Sequence, residues 1–437
     1  MAQQVSVLRP GPNARYLVDA DDRPVFLNGD SAWSIVVSEL PEAWDAYFAD
    51  RASKGINAVI INAVEALFTA DPPRTVDGIE PFLRPGDLAT PNPAYWARVD
   101  GVIDAAARHG MQVLLAPLYL GFLDPHYPGF GFTSREEGWH AVVAGADEDR
   151  CREYGRFLGK RYRDRQNIIW VIGGDRNPGP LRDRMRAFVA GILEIDDRHL
   201  MTAHVHPDSS PVDEYEGDGW LTLNQTYSYR IVHRKLLEDY GREPVRPFIL
   251  FESTYEGEHD ASELQIRRQA WWALTCGATG QFFGNFPVWL MAPGWQAALD
   301  SPGARALSHL AAFVGEVEWW RLEPDIRRRL LVAGLGEANG LDRATAAIAP
   351  DGSSAVIYVP TPRMLTINLE ALAGWTSVLR WFDPVDGSWT GAELVTRRGM
   401  RQVRTPFDHD AVLLLEDPAR GDHGTWPRPS RARGLAE

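Results

Sequence analysis

Short apolar runs alternate with longer amphipathic stretches from about residue 24 to residue 322. The runs have the length of buried strands, and the stretches repeat apolar residues every three or four positions, as helices do. This alternation predicts parallel strands joined by crossover helices. We expect strands at 25–29, 56–62, 112–116, 167–175, 200–205, 220–225, 247–252 and 278–283.

Several of the intervening helices have clear start signals. Asn92 is a good N-cap residue, and Pro93 suits the first position of a helix. Further helices are expected from Pro41, over 151–165, from Pro180, and through 266–274. Eight βα units in about 300 residues are typical of a (β/α)8 TIM barrel.

An open doubly wound sheet is the alternative fold. Its dinucleotide-binding form carries a characteristic glycine pattern, which Gly173-Gly174-Asp175 does not match. We therefore predict the barrel.

The pattern changes after Pro324. Short alternating runs at 330–333, 355–359, 365–369 and 411–415 are separated by turn residues such as Asp351-Gly352 and Asp386-Gly387. They predict a C-terminal antiparallel β-sandwich. We expect three regions: a barrel with a short N-terminal β extension (1–322), the sandwich (323–417) and a disordered tail (418–437). We expect the sandwich to brace the barrel through Trp319 and Trp320, with sugar binding as the alternative.

Two predicted loops, 66–91 and 119–146, are long and rich in proline, glycine and aromatic residues. Long loops in compact domains usually have a function, and aromatic content favours a packed binding wall. A surface insertion is the alternative. The aromatic residues of the second loop include Phe122, Tyr127, Phe130, Phe132 and Trp139.

The composition limits the partners. With 45% hydrophobic and 24% charged residues among 437, the chain reads as a soluble globular protein. A net charge of −14, from 45 basic and 59 acidic residues, argues against nucleic acid and anionic membranes as partners. The N-terminus lacks an export signal, which predicts a cytoplasmic location. We expect Cys151 and Cys276 to be free buried thiols rather than one disulfide.

Two carboxylates end apolar strands: Asp175 and Glu252. A charge there is costly unless it is paired or used. The strand ends of a barrel open onto one face, where two carboxylates form the usual machinery of glycoside hydrolysis. Beside Trp170, Asp175 should have a raised pKa, as suits a proton donor. An N-cap role is the alternative for Asp175.

Other polar and aromatic residues follow the predicted strand ends, where they could bind sugar hydroxyls or stack on sugar rings. Asp30 and Trp33 are equally compatible with packing, and Glu256 with a structural anchor. The candidates for substrate binding are Asp30, Trp33, His204, His206, Asn224, Gln225, Tyr227, Glu256, Asn285 and Trp289.

His204 and His206 lie two residues apart on a predicted strand, so they point to the same face. With a carboxylate such as Asp30, they could ligate a metal ion. Hydrogen bonding to sugar or a buried structural role is the favoured interpretation. We predict no metal and no cofactor.

As a set, three segments resemble the apiosidase-like glycoside hydrolases, glycoside hydrolase family 140 and relatives: Phe26–Trp33, Asn167–Pro178 and Glu252–Gly257. The resemblance covers nearly the whole chain, because that family joins a barrel to a C-terminal β domain named for collagen binding. It implies that Asp175 is the acid/base and Glu252 the nucleophile of a retaining mechanism. Related barrel glycosidases carry Asn before the acid, and Glu as the acid; Gly174 and Asp175 depart from both.

The sequence thus predicts a retaining exo-type glycosidase acting on a small glycoside or oligosaccharide. Two alternatives stay open: a metal-dependent barrel hydrolase using His204 and His206, and a non-catalytic carbohydrate-binding protein. The sequence does not determine the sugar, or whether the chain forms a homo-oligomer.

Overall fold

A computed structural model describes residues 5–122, 138–396 and 398–418. Eight parallel strands form its central sheet, in the order β5-β4-β3-β2-β1-β8-β7-β6. They are β1 Leu27–Ser31, β2 Ala58–Asn62, β3 Gln112–Ala116, β4 Ile168–Gly173, β5 Met201–His204, β6 Asn224–Tyr227, β7 Phe248–Glu252 and β8 Gly280–Phe283. The backbone N–H groups of Thr222 and Leu223 donate to the Met201 carbonyl, joining the chain before β6 to β5. The predicted TIM barrel is confirmed.

Helices surround the sheet. They are α1 Ile35–Ser38, α2 Pro41–Ser53, α3 Pro93–Arg108, α4 His140–Gly145, α5 Glu148–Tyr162, α6 Arg182–Leu193, α7 Pro211–Glu214, α8 Val232–Tyr240, α9 Glu263–Thr275, α10 Trp295–Ala298 and α11 Pro302–Glu316. The predicted starts at Pro41 and Asn92 are confirmed, and the Asn92 side chain accepts from the Ala94 N–H. The helix expected from Pro180 begins as a 3₁₀ turn, Gly179–Leu181, before α6.

Strand β6 lies later in the chain than the predicted range 220–225. Its residues, Asn224-Gln225-Thr226-Tyr227, are all buried although most are polar. Thr226 donates to Asp239 of α8, and Asn224 accepts from Ser210. Hydrophobic patterning places this strand too early because hydrogen bonds to residues elsewhere in the chain, rather than apolar side chains, make its burial acceptable.

Strand residues alternate between two environments, as the period of a β-strand requires. Ile60, Leu114 and Ile249 belong to the cluster that fills the barrel. Their neighbours Ile61 and Leu115 pack outward under the helices. This alternation decides which residues near a strand end can reach the mouth.

The C-terminal region contains two antiparallel sheets. Its strands are β9 Glu323–Pro324, β10 Leu331–Ala333, β11 Thr345–Ile348, β12 Ser354–Val359, β13 Met364–Asn368, β14 Thr376–Phe382, β15 Glu393–Thr396, β16 Met400–Arg404 and β17 Ala411–Glu416. Six form the order β9-β11-β12-β17-β14-β15, and three form β10-β13-β16. Leu331 and Ile367 of the small sheet share one core with Ile357 and Leu413 of the large sheet. The predicted sandwich is confirmed.

The sandwich packs on helices α9 and α11. Tyr358 stacks on Trp271 of α9 at 6.0 Å, and Asp410 pairs with Arg267 of the same helix at 2.8 Å. On α11, Phe313 contacts Phe382 at 5.2 Å. The large sheet thus buries its second face against the barrel.

Trp319, predicted with Trp320 to form this brace, belongs to the apolar cluster that the two regions share, and Trp320 packs against that cluster. Among the described residues, the rings that contact Trp319 are those of Phe26, Tyr16 and Trp320. The aromatic stacking and the buried ion pair between the two regions come from α9 and α11.

Three further features are settled by the fold. Three short antiparallel strands, Arg9–Pro10, Leu17–Val18 and Pro24–Val25, precede β1. Cys151 and Cys276 are free and buried, as predicted. Within the described ranges, no helix combines the length and apolar character needed to cross a membrane. The expected disordered tail lies outside the described residues, apart from Pro418.

Candidate active site

Asp175 and Glu252 meet at the mouth of the barrel. Strand β4 ends at Gly173 and Asp175 follows in the next turn, whereas Glu252 is the last residue of β7. One carboxylate oxygen of each, together with a ring nitrogen of His204, lies within 4.8 Å of the others. The expectation that the two strand-end carboxylates come together is confirmed.

A β-bulge directs Glu252 into the mouth. Ile249 and Phe251 point into the barrel, so strict alternation would turn Glu252 outward. The pairing of β7 with β6 shifts between Leu250 and Glu252, which leaves Phe251 without a counterpart. Such an extra residue bends a strand and redirects a side chain. Phe251 and Glu252 can therefore both serve the inner side of the barrel.

His204 lies between the two acids. Its Nε2 is 2.8 Å from Asp175 Oδ1 and 3.2 Å from Glu252 Oε2. The His204 side chain is 1% exposed, against 19% for Asp175 and 7% for Glu252. Burial lowers the pKa of His204, but the charges of Asp175 and Glu252 raise it to about 9. His204 therefore carries a proton at neutral pH.

The two carboxylates have opposite pKa shifts. Burial raises the pKa of Asp175, but the positive charge of His204 outweighs it and holds that pKa below its usual range. Burial and the negative charge of Asp175 raise the pKa of Glu252. The predicted raised pKa of Asp175 is therefore wrong for this free site. The reason is His204, which the local sequence around Asp175 does not reveal.

Three tyrosine hydroxyls surround the acids. Tyr119 donates to Asp175 Oδ2 at 2.9 Å, and Tyr229 donates to Glu252 Oε1 at 3.0 Å. Tyr227 donates to the Tyr229 hydroxyl at 3.0 Å. Each acid therefore has one oxygen held by a tyrosine. Asp175 Oδ1 and Glu252 Oε2 have no aligned hydrogen bond within the described part of the chain.

Aromatic rings form one side of the mouth, which we call the aromatic wall: Trp33, Phe68, Tyr119, Tyr255 and Trp289. Trp33 stacks on the His204 ring at 5.7 Å and contacts Tyr119 at 6.1 Å. Phe68 contacts Tyr119 at 5.3 Å and Trp289 at 5.0 Å. The Trp33 indole N–H donates to the Tyr255 hydroxyl at 3.0 Å, and Tyr255 contacts Trp289. Phe68 comes from the predicted loop 66–91.

Part of the second predicted loop joins this wall. Tyr119 stands at its start, and Trp139 at its far end packs against Phe82. Tyr127, Phe130 and Phe132 lie outside the described residues.

Gly174 is explained by close packing. A Cβ at this position would lie 2.5 Å from the Leu120 backbone nitrogen and 3.2 Å from that of Gly121. The segment that carries Tyr119 therefore approaches the backbone where related barrels carry a side chain. Only glycine fits unless Leu120 and Gly121 shift.

Asp30 lies outside the mouth. It is fully buried, and its Oδ2 accepts from Arg51 Nε at 2.5 Å and from the Tyr47 hydroxyl at 2.7 Å, both on α2. Ser31, its neighbour on β1, faces inward and accepts from Tyr255. Strand alternation therefore assigns Asp30 to the helix layer, which corrects its predicted place among sugar contacts.

Glu256 and Asn285 hold the chain together beside the mouth. Glu256 accepts from the Gly303 N–H at 2.7 Å and from Ser301 at 2.5 Å, at the start of α11. Asn285 donates to Ser301 and to the Ala298 carbonyl. Of the two roles considered for Glu256, the structure therefore favours the structural anchor. Asn285 has the same role.

Strand β6 carries three of the predicted sugar-binding residues, and only one of them lies at the mouth. Tyr227 pairs with Glu252 at the mouth, whereas Asn224 pairs with Phe248 at the opposite end of the strand. Gln225 pairs with Ile249, one layer below the mouth, and its amide has no hydrogen-bond partner among described residues. The placement of Asn224 and Gln225 at the end of this strand is therefore corrected.

His206 does not join His204. It lies beyond the end of β5, is exposed, and its Nδ1 is 2.8 Å from the Pro207 carbonyl. The alternative metal site of His204, His206 and Asp30 is therefore not assembled. The described residues that could hold a metal ion are Asp175, His204 and Glu252, the three already in contact.

Sequence reasoning missed five residues of the mouth: Phe68, Tyr119, Tyr229, Tyr255 and Glu258. Glu258 accepts from the Trp289 indole N–H at 2.6 Å. Phe68 was included only through its loop. Tyr119 and Tyr229 each follow a predicted strand, which is only a weak indication of a site residue. Glu258 was not considered because Glu252 and Glu256 lie closer to the end of β7.

The solved structures most useful for comparison are glycoside hydrolases. One so described aligns with a TM-score of 0.81 and 21% identity, covering 95% of this chain and 98% of the other. A glycoside hydrolase family 5 protein from Bacteroides vulgatus ATCC 8482 gives 0.83 and 21%, covering 96% and 95%. A family 30 endoxylanase from Clostridium papyrosolvens C71 gives 0.54 and 11%, covering 90% and 97%. At these identities the likeness concerns the fold.

Two family models match the chain. Residues 329–416 match the model described as "Putative collagen-binding domain of a collagenase". Residues 11–321 match the model described as "Apiosidase-like, catalytic domain". No match was found among curated proteins. Since the second model covers most of the chain and includes both strand-end carboxylates, the protein belongs to the apiosidase-like glycoside hydrolases.

Proposed function

We propose that the protein is a retaining exo-type glycosidase, with Glu252 as nucleophile and Asp175 as acid/base. The observation that carries this proposal is the short distance between the acids, whose nearest oxygens lie within 4.8 Å. Carboxyl groups about 5–5.5 Å apart are typical of retaining enzymes, whereas about 6.5–9.5 Å leaves room for the water of an inverting enzyme.

In the first step, a Glu252 oxygen bonds to the anomeric carbon as the bond to the leaving oxygen breaks. Asp175 gives that oxygen a proton. The proton comes from His204, which holds it at neutral pH 2.8 Å from Asp175 Oδ1. Bound glycoside thus receives a proton that His204 stores and Asp175 delivers.

In the second step, water attacks the anomeric carbon and releases Glu252. Asp175 takes the proton of that water and passes it to His204, which restores the starting protonation of the site. The low pKa of Asp175 suits a group that ends both steps ionised. Tyr229 keeps one oxygen of Glu252 oriented throughout. No step of this scheme needs a metal ion or an organic cofactor.

Two features support exo-type action on a small glycoside. The aromatic wall bounds one side of the mouth and offers apolar faces to a sugar ring. Asp175 Oδ1 and Glu252 Oε2 both face His204 Nε2, at 2.8 and 3.2 Å, so the two acids converge on one point where a single anomeric centre can react. A single terminal sugar could contact the aromatic wall and reach both acids at once.

A panel of 4-nitrophenyl glycosides, including furanosides, tests the proposal. We expect at least one to be cleaved with retention, observed by NMR of the first-formed sugar. Glu252→Ala should lose about 10⁴-fold or more of the activity, and azide should restore part of it as a glycosyl azide of inverted configuration. Unchanged activity in Glu252→Ala would refute the mechanism. No binding and no turnover on any glycoside would refute the function.

A metal-dependent hydrolase is the second candidate, because Asp175, His204 and Glu252 could together hold an ion. Metal binding needs a neutral imidazole, and the raised pKa of His204 opposes this at neutral pH. Metal analysis of the purified protein, and its activity with and without EDTA, decide between the two. Loss of activity on chelation, restored by one metal, would favour the second candidate.

A further inference from the structure

Glu258 is a third carboxylate at the mouth that the proposed reaction does not use. It follows Glu252 by six residues, in the loop after β7, and its Oε1 accepts from the Trp289 indole at 2.6 Å. Trp289 is the corner of the aromatic wall at which Phe68 and Tyr255 meet. Glu258 is thus attached to the wall that bounds the proposed sugar site.

The loop that carries Glu258 is fixed in place. The Glu256 N–H donates to the Gly284 carbonyl at 2.8 Å, and the Phe286 N–H donates to the Glu256 carbonyl at 2.9 Å. The Glu256 side chain also binds the start of α11. Glu258 and Trp289 are therefore held beside each other without a ligand, as a preorganised binding group requires.

A structural role for Glu258 would call for a positive charge nearby to stabilise its carboxylate, and none of the charges that act on it from the described residues is positive. Burial raises its pKa to about 7, and the nearby charge that acts on it is that of Glu252, which also raises it. Glu39 holds the Trp295 indole in a similar way at 2.8 Å, but there the positive charge of Arg98 opposes part of the rise in pKa that burial causes. A half-buried acid beside another acid is costly, and such groups are concentrated at functional sites.

Glu258 retains acceptor capacity. The Trp289 N–H uses one lone-pair position of Oε1, whereas an ionised carboxylate offers about four. Two neighbouring sugar hydroxyls match a carboxylate, since each donates one hydrogen bond. A carboxylate on the sugar would be repelled by the negative charges of Glu252 and Glu258 together.

We propose that Glu258 determines substrate specificity by accepting hydrogen bonds from two adjacent hydroxyls of the terminal sugar. The sugar is then neutral and unsubstituted at those hydroxyls, and uronic acids are excluded. This inference rests on the proposed function, because it requires the anomeric carbon of that sugar to lie at Glu252. Glu258 binds the ring at the Trp289 side while Glu252 attacks.

Glu258→Gln tests this role, measured with the 4-nitrophenyl glycoside cleaved fastest in the panel. Hydrogen bonds to a charged group contribute enough for KM to rise about 10- to 100-fold, with kcat within about 3-fold. The wild-type KM should fall as pH rises through about 7, since the ionised acid is the better acceptor. In Glu258→Gln this dependence should disappear.

Deoxy analogues identify the hydroxyls. Removing either partner hydroxyl should weaken wild-type binding about 10-fold or more and weaken Glu258→Gln binding much less. Binding is measured by calorimetry in a Glu252→Gln background, so it does not depend on turnover. Asp260→Asn is the matched control: it removes one charge from an exposed residue of the same loop and should leave KM unchanged.

The outcomes separate the two proposals. If Glu252→Ala abolishes turnover but Glu258→Gln leaves KM, its pH dependence and the deoxy pattern unchanged, the role of Glu258 is refuted and the proposed function stands. If wild type neither binds nor cleaves any glycoside, the proposed function fails, and this inference fails with it. If every deoxy analogue binds more weakly by the same factor in the protein with Glu258 and in Glu258→Gln, the role of Glu258 is also refuted. Near-UV circular dichroism checks that the aromatic side chains as a set keep their packing in Glu258→Gln.

Discussion

The imidazole of His204 lies 2.8 Å from Asp175, so the proton of the site resides beside the proposed acid rather than on it. The pKa of His204 is raised to about 9 while that of Asp175 is lowered. Without this imidazole, burial would raise the pKa of Asp175 instead of leaving it lowered. This contact therefore governs how the activity should depend on pH.

His204→Asn should change the alkaline limb of the pH profile. In wild type, kcat/KM should fall as pH rises through about 9, because His204 then loses the proton that Asp175 delivers. The variant should lose about 10²- to 10⁴-fold of activity and no longer show a limb near 9. His206→Asn, at the exposed histidine two residues away, is the control and should match wild type. An unchanged alkaline limb in His204→Asn would contradict the proton-storage role.

Tyr229→Phe should move the acid limb. Tyr229 donates to Glu252 and lowers its pKa, so losing the hydroxyl raises that pKa further. Because the nucleophile must be ionised, the acid limb of kcat/KM should shift to higher pH. Tyr16→Phe, beside Trp319 and away from the mouth, removes a hydroxyl without this shift. A limb that stays in place would show that Glu252 ionisation does not set it.

Gly174→Asn should fail to improve the enzyme, although related barrels carry Asn before the acid. The new Cβ would meet the backbone at Leu120 and Gly121, which must move and take Tyr119 with them. Overpacking of this kind typically costs about 1–3 kcal/mol. We expect a lower melting temperature and reduced kcat/KM. Gly145→Asn, at a position where a Cβ meets nothing, is the control. Full activity in Gly174→Asn would show that the loop adapts freely.

Asp30→Ala should destabilise the protein strongly. It removes the fully buried carboxylate at Arg51 Nε and leaves the guanidinium with the carboxylate of Asp50, which is partly exposed. Breaking a buried pair costs about 3–5 kcal/mol. Chemical denaturation measures the loss. Asp21→Ala, at an exposed pair with Arg23, should cost less than about 1 kcal/mol. A small loss in Asp30→Ala would mean that water reaches Arg51 readily.

The sequence located the two acids because each follows an apolar strand within its own segment. It listed Asp30, Glu256 and Asn285 among the candidates for sugar binding, but they stand near strand ends for structural reasons. The partners of Asp30 come from α2, and those of Glu256 from the start of α11. A polar residue beside a strand looks the same whether its partner is a sugar or a distant part of the chain.

The sequence by itself determined the barrel, its strand order, the sandwich and the positions of Asp175 and Glu252. These follow from periodicity and turn residues, which are local properties of the chain. Only the tertiary structure decided that a bulge turns Glu252 inward, that His204 lies between the acids, and that Gly174 admits a neighbouring loop. Orientation and pKa depend on groups that folding alone brings within a few ångströms, where charge interactions become strong.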